Sequence, residues 1–299
     1  MTISAKIIAD SVSPDGVRIT SLELKYPRFI HAEFMTHRVF SRNASSSRAI
    51  PVERMIQNIL DDTAMPIHWG KNQPGMQARE ECDEFIDLEC LVEHDSILID
   101  DVEDDEEPYY TTVYESKMLP HNRQEAWEYA RDEAIEVARA FHKAGYHKQI
   151  VNRLLEPFSH ITVLVTATEW DNFFSLRLHP DAQPEIHELA RQMKTVMDES
   201  NPRIISYHDY HLPYVTEDDD HLPIDLKIQV SVARCARVSY LTHDGKVPVI
   251  EKDLELYEKL VGAQPIHASP AEHQATPAPY KTFPSGNFKG WQQYRQEIQ

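Results

Sequence analysis

The sequence predicts a mixed α+β fold. Val17–Tyr26 alternates apolar and polar residues as a strand does, and Ile161–Thr168 is rich in the β-branched residues that favour a buried strand. Arg123–Ala144 and Ala182–Ser200 have the spacing of amphipathic helices. Strands and helices of these kinds, mixed along one chain, indicate a sheet packed against helices.

Each element follows from a local pattern. In Val17–Tyr26 we expect Ile19, Leu22 and Leu24 to point inward. The stripe expected on the helix Arg123–Ala144 is Ala126, Ala130, Ala134, Val137 and Phe141, with Gly145 as its stop and Asp181 or Pro180 starting the later helix. The remaining expected elements are helices over Phe29–Phe40, His147–Leu155, Trp170–Leu178 and Pro248–Val261, an apolar segment over Leu226–Leu241, a proline-rich loop over Gln264–Gly286 and a short closing helix with Trp291, Tyr294 and Ile298.

The 299 residues, 41% of them hydrophobic, suffice for a sizeable core. We expect a single domain over residues 1–299, with an acidic insert at 80–107 and a linker at 207–223. The insert contains no Lys or Arg, so we expect a surface excursion or a partly disordered segment. Apolar runs fall well short of the roughly 20 residues of a membrane span, and no secretion signal is evident, so a cytoplasmic location is expected.

The net charge of −19 disfavours binding to nucleic acid. Three cysteines, without a Cys-x-x-Cys pair, disfavour a disulfide framework and a structural zinc site. Cys82 and Cys90 lie among carboxylates, and Cys235, although it has arginine neighbours, is expected to be structural, so a thiolate nucleophile is also disfavoured.

The densest polar pattern lies at 36–48, where three arginines, one histidine, one asparagine and four serines fall within thirteen residues. Hydroxyls, backbone N–H groups and guanidinium forks are the groups that bind phosphate. A serine-rich turn with solvated arginines is the alternative. Arg177 lies between leucines, which indicates an anionic partner, either a ligand or Glu185. His267 and His273 flank a polar loop whose spacing does not favour a metal, and no metal site is expected.

These residues resemble the flavin-dependent thymidylate synthase family. The family signature Arg-His-Arg-x-x-Ser-x-Asn-x-x-Ser-x-Arg is matched from 37 to 48, with Thr36 in place of the first arginine. Gln149–Pro157 is similar to the family's helix with an arginine just before a Leu-Pro pair; Arg153 takes that place, and Glu156-Pro157 follow. Asn172–Ile186 resembles the family's next helix and includes Arg177.

The order of the matching segments is unusual. Likenesses to the family's early Ala-Arg-Val-Ser segment and Ser-Pro-Phe-Glu-His loop come last, at 236–239 and 269–273. The chain thus resembles a long, circularly rearranged, bacteriophage-type member, in which residues 225–276 are the displaced beginning. The resemblance implies the family fold, a central mixed sheet flanked by helices, with permuted chain order, and a homotetramer with shared active sites.

The resemblance also implies a reaction. A one-carbon unit from methylene-tetrahydrofolate would be transferred to C5 of dUMP with reduction by FADH2, giving dTMP; NADPH would reduce the FAD. By position, the implied catalytic residues are Arg177 and His273. The implied dUMP contacts are Glu33, Ser45, Ser46, Ser47, Arg48, Arg153 and Arg177. The implied FAD contacts are Thr36, His37, Arg38, Asn43, Asn172 and His273.

Three departures from the family pattern concern the flavin side. Thr36, Thr166 and Asp181 stand where the family often has arginine, asparagine and histidine. Trp291 and Arg295 in the tail are candidates to compensate, by stacking and by charge. Two alternatives stay open, namely flavin- and folate-dependent hydroxymethylation of a pyrimidine deoxynucleotide and a non-catalytic nucleotide-binding homologue.

Overall fold

The computed structural model describes residues 2–98, 110–240, 249–278 and 286–298. Within those residues, no helix combines the length and apolarity that crossing a membrane requires. The strands are β1 Ser4–Val12, β2 Arg18–Pro27, β3 Ser41–Ala44, β4 Ile86–Leu98, β5 Tyr110–His121, β6 His160–Ala167, β7 Arg203–Ile204, β8 Ala275–Pro277 and β9 Trp291–Gln293. The helices are α1 His31–Phe34, α2 Val52–Asp61, α3 Arg123–Lys143, α4 Lys148–Val151, α5 Asp171–Arg177, α6 Pro184–Glu199, α7 Ile224–Tyr240 and α8 Ile250–Val261.

Two compact units divide the chain. The first comprises Met1–Ile67 and Ile135–Gln299, and the second comprises His68–Ala134. The single domain expected over 1–299 therefore takes the form of one large unit and a smaller one. The acidic stretch 80–107 falls within the smaller unit.

A five-stranded mixed sheet, as far as the described residues show, organises the first unit in the order β3-β6-β2-β1-β7. Its pairings are antiparallel, except that β1 and β7 run parallel. The predicted α+β class, with a central mixed sheet flanked by helices, is confirmed. The strands expected over Val17–Tyr26 and Ile161–Thr168 are confirmed as β2 and β6.

The helices α5 and α6 cover one face of this sheet. Leu22 and Leu24 of β2 are fully buried there against Leu189 and Met193 of α6. Ile19 is buried too, but it packs with Ile205 and Trp291 in a separate cluster. Because side chains alternate along a strand, Ile19 lies on the opposite face from Leu22 and Leu24, so both faces of β2 are buried. The prediction that Ile19, Leu22 and Leu24 point inward is confirmed, with the three residues divided between two buried faces.

The helix α7 covers the second face. Cys235 and Val238 pack on Leu164 of β6, while Val232 and Ala233 pack with Tyr257 of α8. The apolar segment expected over Leu226–Leu241 is thus a helix that is buried nearly all round, as a helix between two layers must be.

Several predicted helices differ from the structure. The helix expected over Phe29–Phe40 shrinks to α1, after which the chain turns. The α3 helix is confirmed and ends at Gly145 with φ +89°, but Ile135 and Ala138 are its buried residues, whereas Val137 is exposed. The helix expected over His147–Leu155 is reduced to the single turn of α4.

Four smaller predictions were also tested. The α6 helix is confirmed, but Gln183 caps it instead of Asp181 or Pro180, because its side chain accepts a hydrogen bond from the Ile186 N–H. The helices α5 and α8 are confirmed. The closing segment forms β9, which pairs with β8, followed by a short 3-10 turn over Tyr294–Gln296, in place of the expected helix.

The second unit contains a hairpin. The strands β4 and β5 pair antiparallel from Ile86↔His121 to Leu98↔Tyr110. Within the acidic stretch, residues 86–98 therefore form a regular strand that charge patterning did not predict, and residues 99–109 lie outside the described residues. Trp69 packs edge-on against Trp127, and the Arg123 guanidinium lies over the Trp69 ring.

Candidate functional site

A cavity of about 600 Å³ opens in the first unit. The turn after α1, the β6–α5 connection and the last turns of α6 form its walls. Four of the residues expected at the flavin lie together in it, namely Thr36, His37, Arg38 and Asn172. The other lining residues are Arg18, Val39, Thr168, Glu169, Trp170, Asp171, Phe173, Phe174, Lys194, Met197 and Asp198. This volume lies within the range of small-ligand pockets.

Arg177 contacts α1 and the turn after it, which forms part of the cavity wall. Its Nε donates to His37 Nε2 at 3.0 Å, and its Nη2 donates to Thr36 Oγ1 at 3.3 Å. Its Nη1 lies 3.9 Å from a carboxylate oxygen of Glu33. The alternative partner, Glu185, instead accepts from the Ile67 N–H at 2.7 Å. The fold therefore brings Arg177 to Glu33, Thr36 and His37, about 140 residues earlier in the sequence.

His37 is neutral in this arrangement. Burial, together with the nearby Arg177 and Arg42, lowers its pKa to about 4. A neutral imidazole can accept the Arg177 N–H, which a protonated one could not. Arg42 also fixes the turn, because its Nη1 donates to the carbonyls of Met35 and His37 at 3.0 and 3.1 Å. The turn that carries Thr36 and His37 is thus held by side chains rather than by a helix.

A second cluster forms around Glu156. Its Oε1 accepts a hydrogen bond from Ser47 Oγ at 2.6 Å, and its Oε2 lies 3.6 Å from Arg153 Nη1. Asn152 donates to the Ser47 and Ile50 carbonyls at 2.8 and 3.0 Å. The Ser47 turn and the segment bearing Arg153 are therefore held together through Glu156, and the phosphate contacts expected of Ser47 and Arg153 stay a prediction.

Arg48 is exposed at the end of this turn and has no ion-pair partner among the described residues. Ser46 uses its backbone N–H to bind the Ser239 carbonyl at 3.1 Å. The side chains of Ser46 and Arg48 make no hydrogen bond with described residues, so they stay available to a ligand. Arg153 has a side chain that is 63% exposed.

Positive charge connects the two clusters. Burial chiefly lowers the pKa of Arg28, and Arg153 lowers it further. Burial also lowers the pKa of His31 to about 4, with Arg28 and Arg42 adding to the effect. Arg42 and Arg177 act on His37 in the same way. In a chain of net charge −19, Arg153, Arg28, Arg42 and Arg177 thus form a series of neighbouring guanidiniums, here called the positive strip, with Glu156 and Glu33 beside its two ends.

Three expected site residues do not reach a ligand-accessible surface. Asn43 is buried, and its side-chain N–H donates to the Cys235 carbonyl at 3.2 Å. Ser45 is buried, and its Oγ accepts from the Thr162 N–H at 3.1 Å. His273 is 0% exposed. The polar atoms of these three residues serve the sheet and α7 or are sealed from solvent, and their contacts with FAD or dUMP stay predictions.

His273 ends a buried polar row on the second face of the sheet. Its Nδ1 lies 2.8 Å from Thr166 Oγ1, which lies 2.5 Å from Ser21 Oγ. Ser21 Oγ is 2.8 Å from His211 Nε2, and His211 Nδ1 is 3.0 Å from Ser11 Oγ. Burial lowers the pKa of both His211 and His273 to about 3, so both rings are neutral.

Trp291 and Arg295 in the tail have partners inside the protein. Trp291 is fully buried and its indole N–H donates to the Val17 carbonyl at 3.2 Å, so it cannot stack on a ligand. Arg295 pairs with Glu272. Thr166 belongs to the buried row, and Asp181 lies 3.7 Å from His179.

Sequence reasoning missed Arg28, Arg42, Glu156 and Trp170. Arg42 lay inside the signature but at a variable position, and Arg28 and Trp170 carried no motif. Glu156 did carry a signal, since it stands where the resembling segment has a leucine before proline. Trp170 lines the cavity, is only 7% exposed, and its indole N–H has no partner among the described residues.

The cavity's chemistry fits a flavin nucleotide. Trp170 and Phe174 stack at 6.2 Å with 26° between their planes. The unpaired Trp170 N–H is a donor suited to a carbonyl or ring nitrogen, because a buried donor normally has an acceptor. Arg38 is exposed on the wall and can meet phosphate oxygens. The described residues hold no group of three His, Cys, Asp or Glu side chains suited to a metal ion.

Comparisons with known proteins give a family and distant structures. Residues 17–203 match the family described as thymidylate synthase complementing protein. Two solved structures of the UMP/dUMP methylase PolB from Streptomyces cacaoi, bound with 5-Br UMP and 5-Br dUMP, are similar at 16% identity. They cover 66% of this chain and 89% and 90% of their own, with TM-scores of 0.44 and 0.41. No curated protein sequence matches.

Proposed function

The chain belongs to the thymidylate synthase complementing protein family, the family of flavin-dependent thymidylate synthases, and we propose that it methylates dUMP at C5. The one-carbon unit comes from methylene-tetrahydrofolate, the reducing equivalents come from FAD reduced by NADPH, and the product is dTMP. The observation that carries the proposal is the Arg177 cluster. One guanidinium contacts both His37 and Thr36, two residues that line the cavity.

Arg177 is the proposed catalytic residue. A fixed guanidinium beside the pyrimidine favours the base with N3 deprotonated and lowers the energy of negative charge that develops on the ring. The Thr36 hydroxyl and the neutral His37 orient this guanidinium before the substrate arrives. Orientation in advance avoids reorganisation during the reaction. Glu33, 3.9 Å from Arg177, is proposed to contact the nucleotide.

The phosphate is proposed to bind at the other end of the positive strip. Ser46, Ser47, Arg48 and Arg153 supply hydroxyl and guanidinium donors there, and the exposure of Arg48 and Arg153 leaves them accessible. Thr36, His37, Arg38 and Asn172 would hold FAD in the cavity. When bound, the flavin supplies hydride chemistry that side chains cannot provide.

The mechanism needs no cysteine nucleophile. Cys235 is fully buried against Leu164, and burial raises the pKa of its thiol far above the usual range. A protonated, buried thiol is inert. This agrees with a reaction in which the flavin and the arginine, rather than a thiolate, activate the pyrimidine.

We further propose that the enzyme is a homotetramer whose active sites combine several subunits. The exposed cations Arg38, Arg48 and Arg153 would then meet across subunit contacts, which explains how an acidic chain gathers positive charge around a nucleotide. The permuted order of segment 225–276 and a phage origin, with a host-cytoplasmic location, belong to the same proposal.

Release of tritium from C5-labelled dUMP, in the presence of FAD, NADPH and methylene-tetrahydrofolate, tests the reaction. We expect release together with dTMP identified by mass spectrometry. Hydroxymethylated product from dUMP or dCMP would favour the alternative reaction. Nucleotide binding without tritium release would identify a non-catalytic homologue.

Arg177→Ala tests the assigned residue. We expect kcat to fall by about 100-fold or more, because a donor to developing charge typically contributes that much, while the melting temperature changes little. The matched control is the exposed Arg139→Ala, which removes only a surface pair with Glu136 and should retain full turnover. Wild-type turnover in Arg177→Ala would refute the role.

A further inference from the structure

The cavity wall carries a carboxylate, Glu169, whose cationic partner comes from the C-terminal tail. Lys289 Nζ pairs with Glu169, and the Lys289 backbone N–H donates to Thr168 Oγ1 at 3.0 Å. Thr168 and Glu169 both line the cavity, and about 120 residues separate them from Lys289 in the sequence. The tail therefore contacts the wall at two adjacent residues, through its backbone and through a charged side chain.

Buried side chains hold the tail segment 286–293 on either side of Lys289. Phe288 and Trp291 are fully buried and pack in the same apolar cluster. Gly290 has a φ of +69°, and a Cβ there would meet a neighbouring side chain at 3.1 Å, so this turn favours glycine. The Lys289 backbone is thus fixed beside the cavity, while its side chain is 54% exposed.

The charge of Glu169 depends on this contact for its compensation. Two cations of the cavity wall, Arg18 and Lys194, already pair with other carboxylates at 2.6 and 2.5 Å. Among the described residues, Lys289 is the one ion-pair partner of Glu169. Removal of the Lys289 charge would therefore leave an uncompensated carboxylate on the wall, and a carboxylate repels a phosphate that enters the same cavity.

We propose that Lys289 is a positioning residue that neutralises Glu169 and so allows the cavity to bind a cofactor with a diphosphate group. FAD carries negative charge on its diphosphate, and Lys289 lowers the repulsion between that charge and the wall. The tail lies beyond residues 17–203, which match the family, so this contribution comes from a part of the chain outside the match. The inference rests on the proposed function for the identity of the cofactor, whereas the charge compensation applies to any diphosphate.

Fluorescence titrations with FAD and with riboflavin, which lacks phosphate, test the role of Lys289. The proteins compared at low ionic strength are the wild type, Lys289→Met, Glu169→Gln and the double variant. We expect Lys289→Met to bind FAD about 3- to 10-fold more weakly than the wild type, and riboflavin within about two-fold of it. The double variant should recover FAD affinity to within about two-fold of the wild type. Salt at about 0.5 M should reduce the FAD deficit of Lys289→Met, because salt screens exposed charges.

The matched control is Lys143→Met, which removes an exposed lysine that does not line the cavity and should leave FAD affinity unchanged. An unchanged melting temperature in Lys289→Met would show that Phe288 and Trp291 still hold the tail. An equal loss of FAD and riboflavin affinity in Lys289→Met would overturn the inference, since a neutral ligand does not sense the carboxylate. Failure of the double variant to recover FAD binding would overturn it as well.

Inorganic pyrophosphate separates this inference from the proposed function. If the wild type binds no flavin, the flavin cofactor is refuted, and calorimetry with pyrophosphate then decides the role of Lys289. Weaker pyrophosphate binding by Lys289→Met, with recovery in the double variant, would support that role. Equal pyrophosphate binding by the wild type and Lys289→Met, or binding by neither, would overturn it.

Discussion

The buried row on the second sheet face predicts a specific pH dependence of stability. His211 lies between Ser21 and Ser11, and burial lowers its pKa to about 3 in the folded protein. In the unfolded chain an imidazole has a pKa near 6.5. Between these values the unfolded chain binds a proton that the folded protein excludes, so stability falls as the pH drops below about 6.5.

The size of the effect follows from this pKa difference. Each pH unit inside the window is worth about 1.4 kcal/mol, so lowering the pH from 7 to 5 removes about 2 kcal/mol through His211 alone. Other titrating groups change stability over the same range. They cancel when the wild type is compared with His211→Gln, whose side chain keeps hydrogen-bonding atoms but does not titrate.

Denaturant unfolding at pH 7 and pH 5 supplies the measurement. The difference in unfolding free energy between the wild type and His211→Gln should shift by about 2 kcal/mol between the two pH values, in favour of the variant at pH 5. The exposed His142→Gln should reproduce the pH dependence of the wild type. A difference that stays constant for His211→Gln would mean that the folded protein accepts the proton, and the reasoning from burial would fail.

Two further predictions concern the cavity and the α7–α8 contact. Trp170→Phe should keep the ring packing on Phe40 and Phe174 but lose the indole N–H. In a flavin fluorescence titration, the variant should bind flavin about 2- to 10-fold more weakly, with no loss of melting temperature. Unchanged affinity would exclude Trp170 as a hydrogen-bond donor to the flavin. Arg234→Met removes the shared partner of Asp219 and Asp253, which bind it at 2.6 and 2.9 Å. Denaturant unfolding should show a loss of about 3–5 kcal/mol, against about 0.5 or less for the exposed Lys194→Ala, and a loss as small as the control would show that the pair is solvated.

The pattern of apolar residues predicted the helices and strands that are buried on one side or on all sides. The β6 strand was found from its run of β-branched residues, and α6 was found from its amphipathic spacing. The segment 29–40 failed for the opposite reason. Phe34, His37 and Phe40 recur every three residues as on a helix, yet they pack together around Phe173 from a turn that Arg42 holds by two carbonyl contacts. Tertiary contacts outweighed local propensity there.

The sequence grouped four expected flavin contacts that the structure places side by side, although their roles toward a ligand stay predictions. Thr36, His37, Arg38 and Asn172 do line one cavity. Position in a motif could not reveal burial, however, which is why Asn43 and His273 were assigned to ligands although their polar atoms face the protein interior. Whether a residue is buried depends on which distant segments cover its face of the sheet. The local sequence pattern does not reveal those segments.

The match to the family ends at Arg203, but the fold does not. Leu164 and the hydroxyls of Ser21 and Thr166 lie on the second face of the sheet, where the apolar side chain needs cover and the hydroxyls need hydrogen-bond partners. Residues beyond 203 provide them: Cys235 and Val238 of α7 cover Leu164, while His211 and His273 take the hydroxyls. The C-terminal segment is therefore an integral layer of the domain. A chain with rearranged segment order must meet this condition, because a displaced segment must still complete the same core.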